Sequence, residues 1–465
     1  MARPEEYLEG EFREDQRELQ RTLQIVRRVG DMFGKTVIEK EWPYEVVDGK
    51  KIQHRDRKYS YSQSTNGMIL FALAATARRS ASGCPLVSNV ACGELAELGD
   101  SQGVFQGVWD RLLKETKKRV EETARKHVCW ASSFGWDDPF TLTWLLEVDR
   151  ADVFESQNAQ QVRKSLRKRA WDRVRLALEA PEPPDKADRP GSKWLGWEPD
   201  GRIPRKKREK LLKTGKSCKD KFSVDHAFPA LRYVQLLKSL EHLRKFDGSV
   251  KTMWAHGYFK NRVHEQLSQS EIPDGTFDAS ELVFALEGQL LLAPESVSRA
   301  LLDSVFHVIG ESQNRTAYWR AVKPFVATPQ GQVLFPLSVE TASSLLRVCS
   351  LIEQHHDNPH CFSDNVKLFR RYSEWLRARM KEGTVLSTNR DTVDFIGWHS
   401  EHVHLHPGIH LWETSQVMLF LVDYASMLDR HIARRSLAAV HLVETRPWSD
   451  DQKTWHVRYW KEEKK

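Results

Sequence analysis

Eight of the 18 histidines fall between His355 and His410: His355, His356, His360, His399, His402, His404, His406 and His410. In an extended stretch His402, His404 and His406 project to one side, because successive side chains alternate. Imidazoles converging in this way, with a carboxylate such as Glu401 or Glu413, could hold Zn²⁺ or another divalent metal. The candidate ligands are His399, His402, His404 and His406. The same residues also suit a polar, aromatic-rich loop whose rings stack on Trp398 and Trp412. No HExxH or comparable ligand spacing is present.

Acids supply the second candidate chemistry. Asp137 and Asp138, Asp225 beside His226, Asp278 and Glu281, Glu340, and His410 with Glu413 all stand near the starts of apolar segments. Carboxylates meeting over one cavity could act as acid and base on a polar substrate such as a glycoside. The candidates for that role are Asp138, Asp225, Glu281 and Glu413. Acids in a first helical turn also cap free N–H groups, which stabilises a helix by ~0.5–2 kcal/mol each. Asp138, Asp225 and Asp278 all suit that duty.

The third is charge. From Arg163 to Lys221 there are 20 Lys plus Arg against 9 Asp plus Glu, a local net of +11 in a chain whose formal charge is +7. The rest of the chain is therefore mildly acidic. Trp194 and Trp197 precede Arg205, Lys206, Lys207 and Arg208. Such a segment could neutralise phosphates while its indoles stack on bases. The stretch Lys213 to Ser217 lacks the first glycine of a phosphate loop, and neither a GxSxG elbow nor a Rossmann GxGxxG occurs.

Six segments of one design must position these groups. They begin near Ser64, Asp138, Val224, Phe277, Leu337 and Leu411, each opening on small or polar residues and running into an apolar stretch. Their spacing of roughly 50 to 90 residues leaves room for a second helix each time. More polar helices are expected at Val108 to His127, over QQVRKSLRKRAWDRVRLALEA, at Asn261 to Ser268, at Pro294 to Ile309, at Asp364 to Lys381, and at Leu428 to Leu437. Six apolar helices alternating with six polar ones is the pattern of an all-α, closed (α/α)6 toroid; an open helical solenoid is the alternative.

Around this body, Leu8, Phe12, Leu19, Leu23, Val26 and Val29 mark a long N-terminal helix that Gly30 should end. Asp48-Gly49 predicts a hairpin between two extended runs. The tail from Ala438, with Ser449 to Asp451 at its turn, reads as a second hairpin. The division expected is 1–59 for the N-terminal helix and β-like extension and 60–437 for the toroid, with the basic insertion at about 180–222. The hairpin and tail take 438–465.

The units GWHSEHVHLHPGIHLWETSQVMLFL and CWASSFGWDDPFTLTWLL resemble repeats of the α/α-toroid superfamily, which includes terpenoid cyclases and protein prenyltransferase β subunits. The resemblance spans about residues 60 to 435 and implies a ring of helical hairpins with a central cavity. The DxDD and DDxxD signatures of terpenoid cyclases are absent, Trp136-Asp137-Asp138-Pro139 being the nearest approach, so cyclase chemistry is not implied.

No window approaches the ~20 apolar residues of a membrane span, and the opening residues are too charged for a secretory signal. Six scattered cysteines with no CxxC spacing read as reduced thiols in a cytoplasmic protein. Two functions remain open. One is a binding or scaffolding toroid that recognises a protein, a nucleic acid or another polyanion through its loops and basic insertion. The other is an enzyme, hydrolase or lyase, with its site in the toroid cavity and a divalent metal held by the histidine-rich loop as an option.

Overall fold

The computed structural model describes residues 4–52, 63–81, 99–123, 139–151, 164, 167, 227–240, 253–273, 275, 277–314, 316–319, 335–356, 358, 360–387, 391–399 and 408–445. These residues are mostly helical. The first element, α1 (Pro4–Thr36), buries Asp15, Leu19, Thr22, Val26, Val29 and Phe33, a stripe at spacings of three and four that faces one way along a helix. It does not stop at Gly30. That glycine lies inside the helix, where even an added Cβ would be in ordinary contact with Met418.

Five apolar helices appear where the sequence places them: α2 (Gln63–Ala81), α4 (Pro139–Ala151), α5 (Ala227–Ser239), α7 (Ala279–Leu292) and α9 (Phe335–His355). The sixth begins at Leu411 as expected, but runs on as one helix, α11 (Leu411–Thr445). The polar segment Leu428 to Leu437 is therefore its continuation, not a separate helix. The expected strand from Ala438 is helical as far as Thr445. An apolar run such as AAVHLV suits either period, and a helix already formed upstream extends through it at little cost. The remainder of the expected hairpin lies outside the described residues.

Between these come α3 (Gly99–Thr123), then a π-helical turn (Met253–Phe259) that leads into α6 (Lys260–Glu271). A single 3-10 turn at Pro294–Ser296 precedes α8 (Arg299–Asn314), and α10 (Cys361–Ala378) completes the set. The basic helix expected at 160–180 falls outside the described residues, Lys164 and Arg167 apart.

Packing runs in sequence order. Helix α2 lies against α4, α4 against α5, α5 against α7, α7 against α9, α9 against α11, and α11 returns to α2. The more polar helices flank these: α3 packs on α2, α6 on α7, and α10 on α9 and α11. Helix α1 packs on α11 and α3, and so occupies a flanking place beside the last apolar helix. Helix α7 is buried on every side from Ala279 to Leu290, as a helix that is apolar all round must be. A Cβ at Gly288 would come 2.4 Å from the Phe259 ring, so only glycine permits that approach.

Strands are few. The turn at Asp48-Gly49 forms, with Gly49 at φ +66°, but its flanks do not pair with each other. Strand β1 (Glu45–Val46) pairs antiparallel with β4 (Ile409–His410). Strands β2 (Lys381–Leu386) and β3 (Thr392–Gly397) form a hairpin within what reads as a long loop in the sequence. Lys51 bridges Leu386 in parallel, and Asp48 accepts from the Thr384 N–H at 2.9 Å. The N-terminal extension is thus stitched to a segment more than 300 residues away.

Candidate functional site

Several expected site residues lie outside the described residues: Asp138, Asp225, His402, His404, His406, Trp194, Trp197, Arg205, Lys206, Lys207 and Arg208. The others can be placed. Asp278 caps α7, accepting from the N–H groups of Ser280 and Glu281 at 2.9 and 3.2 Å. Glu281 is fully buried, accepts from the Ala227 N–H at 2.8 Å and stands 3.7 Å from the Arg262 Nε. It therefore ties the first turn of α5 to that of α7 and to α6.

Glu413 is also buried, 3.9 Å from the His410 Nδ1. His399 is half-buried; its Nδ1 is 3.1 Å from the Gly408 carbonyl and its ring lies 5.0 Å from that of His410. Tyr44 packs on the other partner of this stack, with its ring 5.3 Å from His410. These contacts join the end of the histidine-rich loop to β1. Among the described residues no group of three or more His, Cys, Asp or Glu could hold a metal ion.

The densest charged arrangement lies elsewhere, between the middles of the apolar helices. Glu287 of α7 accepts from the Arg347 Nε at 2.8 Å and its Nη2 at 3.1 Å, from the Gln235 amide at 2.7 Å, and from the Ser344 hydroxyl. Arg347 reaches on to Glu340 at 2.7 Å. Glu340 also pairs with Arg232 at 2.7 Å and accepts from Gln416 at 3.2 Å. Arg232 donates to Gln235 at 2.6 Å and lies 4.4 Å over the Phe228 ring. Helices α5, α7, α9 and α11 each contribute. Arg232 to Glu340 spans α5 to α9, which are separated in the packing order by α7. A second cross-contact sets Trp144 of α4 6.4 Å from Trp412 of α11.

Burial gives these pairs their character. Glu287 and Glu340 are nearly sealed, Arg232 is buried, and the Arg347 side chain keeps 28% exposure. Burial pushes the Glu340 carboxyl up, yet Arg232 and Arg347 outweigh it and hold the group below its ordinary range. Burial dominates at Arg232, whose guanidinium is lowered to about 10 in spite of Glu340. For Arg347 burial acts downwards too, but Glu287 and Glu340 more than offset it and raise the value. The network is an ionised, hydrogen-bonded set whose breaking would strand a charge.

Three members are lone charges within apolar runs: Glu287 in LVFALEGQLLL, Arg347 in SSLLRVCSLI, and Arg232 with Gln235 three residues on. The helix-start reading of the sequence singled out Glu340 but none of these three. The signal that finds the rest is a lone charge mid-helix where both faces are apolar, since such a charge must be paired when buried.

The fold and this network define a mostly helical protein with an ion-paired interior. No protein-family model, no curated protein and no solved structure matches the chain.

Proposed function

We propose that α2, α4, α5, α7, α9 and α11 are the inner ring of a closed α/α toroid, and that the chain is a binding or scaffolding protein. In this reading it recognises a protein or nucleic-acid partner through its loops and its basic insertion, with Arg205, Lys206, Lys207 and Arg208 beside Trp194 and Trp197 as the contact. The cyclic order of helix packing supports the ring. Cytoplasmic residence belongs to the same reading and rests on the cysteine spacing; the two cysteines among the described residues, Cys349 and Cys361, are free and buried. Among the described residues no helix is long and apolar enough to cross a membrane.

The observation that carries the choice of binding over catalysis is the state of the interior carboxylates. A general acid must be able to hold and release a proton near working pH. Glu340 is instead held ionised by two arginines, and Glu287 is occupied by four donors from three side chains. Groups so committed anchor helices. An enzyme active in the same interior, hydrolase or lyase, would need a carboxyl outside this network.

The test is fluorescence anisotropy of the full chain with two probes, a single-stranded oligonucleotide and a glutamate-rich peptide. Binding of at least one at ~50 mM salt that falls steeply by ~200 mM is expected. Reversing Arg205, Lys206, Lys207 and Arg208 to Glu should abolish it. If neither probe binds at low salt, or if the reversed chain binds unchanged, the reading is wrong.

A further inference from the structure

Three helices bring a carboxylate, an imidazole and a hydroxyl into one chain of hydrogen bonds, outside the interior network. Asp15 of α1 is fully buried, His431 of α11 is 5% exposed, and Ser363 in the first turn of α10 is half-buried. The His431 Nε2 stands 3.2 Å from the Asp15 Oδ2, and its Nδ1 stands 2.8 Å from the Ser363 Oγ. Burial therefore falls from the acid, through the base, to the hydroxyl. The Phe362 ring meets the imidazole edge-on at 6.2 Å.

Ionisation sets the direction of the protons. Burial acts upwards on the Asp15 carboxyl, but His431 and Arg370 outweigh it, and Arg435 also pairs with it at 3.2 Å. An ionised carboxylate only accepts, so Nε2 of the neutral imidazole carries the proton and Nδ1 offers its lone pair. The Ser363 hydroxyl then donates to Nδ1. A hydroxyl bonded to a base that a third group orients is the arrangement of an activated nucleophile, recognised by geometry and roles. Arg370 and Arg435 already neutralise Asp15 and tie α1 to α10 and α11, a task in which the hydroxyl has no part. The first turn of α10 adds a donor for a developing oxyanion. Its Phe362 and Asp364 N–H groups are taken by Glu353 and the His360 carbonyl, while that of Ser363 has no acceptor among the described residues.

We propose that Ser363, His431 and Asp15 form a nucleophilic site that hydrolyses small carboxylic esters. Ser363 Oγ bonds to the ester carbonyl carbon as its proton passes to His431 Nδ1, and Asp15 steadies the imidazolium through Nε2–H. The bond to the alcohol oxygen breaks, and that oxygen takes the proton from Nδ1. Water then attacks the acyl group on Ser363, giving its proton to Nδ1; the bond to Oγ breaks, Oγ recovers the proton, and the carboxylic acid leaves. Asp15 touches no substrate and is a positioning residue. Esters are the class within reach because an alcohol leaves more readily than an amine, and a half-buried hydroxyl in a helix's first turn admits a small acyl group. The site shares no residue with the interior network or the basic insertion, so partner binding by the insertion does not depend on it.

Two probes applied to the full chain test it, a fluorophosphonate and 4-nitrophenyl acetate. The fluorophosphonate should attach to Ser363 with loss of fluoride, as peptide mass spectrometry would locate, and should not label the heat-unfolded chain. Turnover of 4-nitrophenyl acetate should exceed that of free imidazole at equal concentration. Ser363→Ala should abolish both while melting as the parent does, and His431→Gln should slow labelling roughly 100-fold. Asp15→Asn should move the pH profile of labelling to lower pH, since the imidazolium loses its anionic partner while Arg370 and Arg435 remain; a helix merely loosened would lower the rate and leave the profile in place. Absence of an adduct on Ser363, or ester turnover that persists in folded Ser363→Ala, would overturn the site, and an unmoved profile in Asp15→Asn would overturn the role given to Asp15.

Discussion

Two charged clusters among the described residues differ in what they join. The interior network links α5, α7, α9 and α11, which follow one another in the packing order. The other fastens α1 to the far end of the chain. Fully buried Asp15 takes Arg370 of α10, together with His431 and Arg435 of α11, each of the last two at 3.2 Å. Glu18 pairs with Arg377 at 2.7 Å. His431 in turn contacts the Ser363 hydroxyl at 2.8 Å. The interior network is sealed except at Arg347, whereas the α1 cluster keeps Arg370, Arg377 and Arg435 partly in water. Breaking the first should strand charges in the core; breaking the second should loosen one helix.

The largest effect expected is at Glu287. Glu287→Ala removes the acceptor of four hydrogen bonds and leaves Arg347 with Glu340 alone, at a cost of about 3–5 kcal/mol. A urea denaturation curve would report it as a lowered midpoint for the whole cooperative transition. A midpoint within error of the parent would mean that the network does not anchor these helices.

Asp15→Asn should cost less, about 1–3 kcal/mol, because Arg370 and Arg435 are partly in water and can turn towards it. Hydrogen exchange ought to show the loss concentrated in α1 and in the C-terminal part of α11. Protection lost evenly from every helix would erase the contrast between the clusters.

The two carboxylates also make the fold acid-sensitive. At Asp15, burial acts upwards but His431 and Arg370 outweigh it, so its folded pKa lies below the unfolded value, as it does for Glu340. Each therefore contributes stability that is complete above its unfolded pKa of about 4 and is lost as pH falls through the folded value. Melts between pH 7 and pH 3 should show a drop in Tm that is shallower in Asp15→Asn than in the parent.

The smallest effect belongs to an exposed pair. Arg28 and Glu382 meet at 2.8 Å with side chains 41% and 50% exposed. Glu382→Gln should change stability by no more than about 0.5 kcal/mol. A larger loss would show that the α1–β2 contact matters as much as the buried cluster.

Much of this was legible from the residues. The six apolar helices announce themselves by composition, and Asp278 caps α7 in the way a first-turn acid should. The helix α1 was visible as a stripe, though not its end. Gly30 looks like a stop in isolation, but Met32 and Phe33 just beyond it are buried in the core, and the helix runs on to Thr36. The hairpin β2–β3 is hard to read in sequence because β2 opens on the exposed polar pair Lys381 and Glu382, and its apolar residues do not alternate cleanly: Leu386 is exposed, while Phe395 and Ile396 are adjacent and both buried.

The candidate site divides in the same way. Helix-start acids are conspicuous in sequence; Asp278 serves a local cap, whereas Glu281 and Glu340 reach side chains or backbone of other helices. Glu287 converges on its partners from mid-helix, and they lie 52 to 60 residues away in sequence. By itself the sequence determined which segments are helical and apolar, because those preferences depend on near neighbours. It also determined that Glu287, Arg232 and Arg347 would need partners if buried. Only the tertiary structure decided which partners those were, that α1 would serve as a flanking helix, and that β1 would pair with β4. Such choices depend on contacts between distant residues, and burial settles them by penalising every arrangement that leaves a charge or a backbone N–H alone in the core.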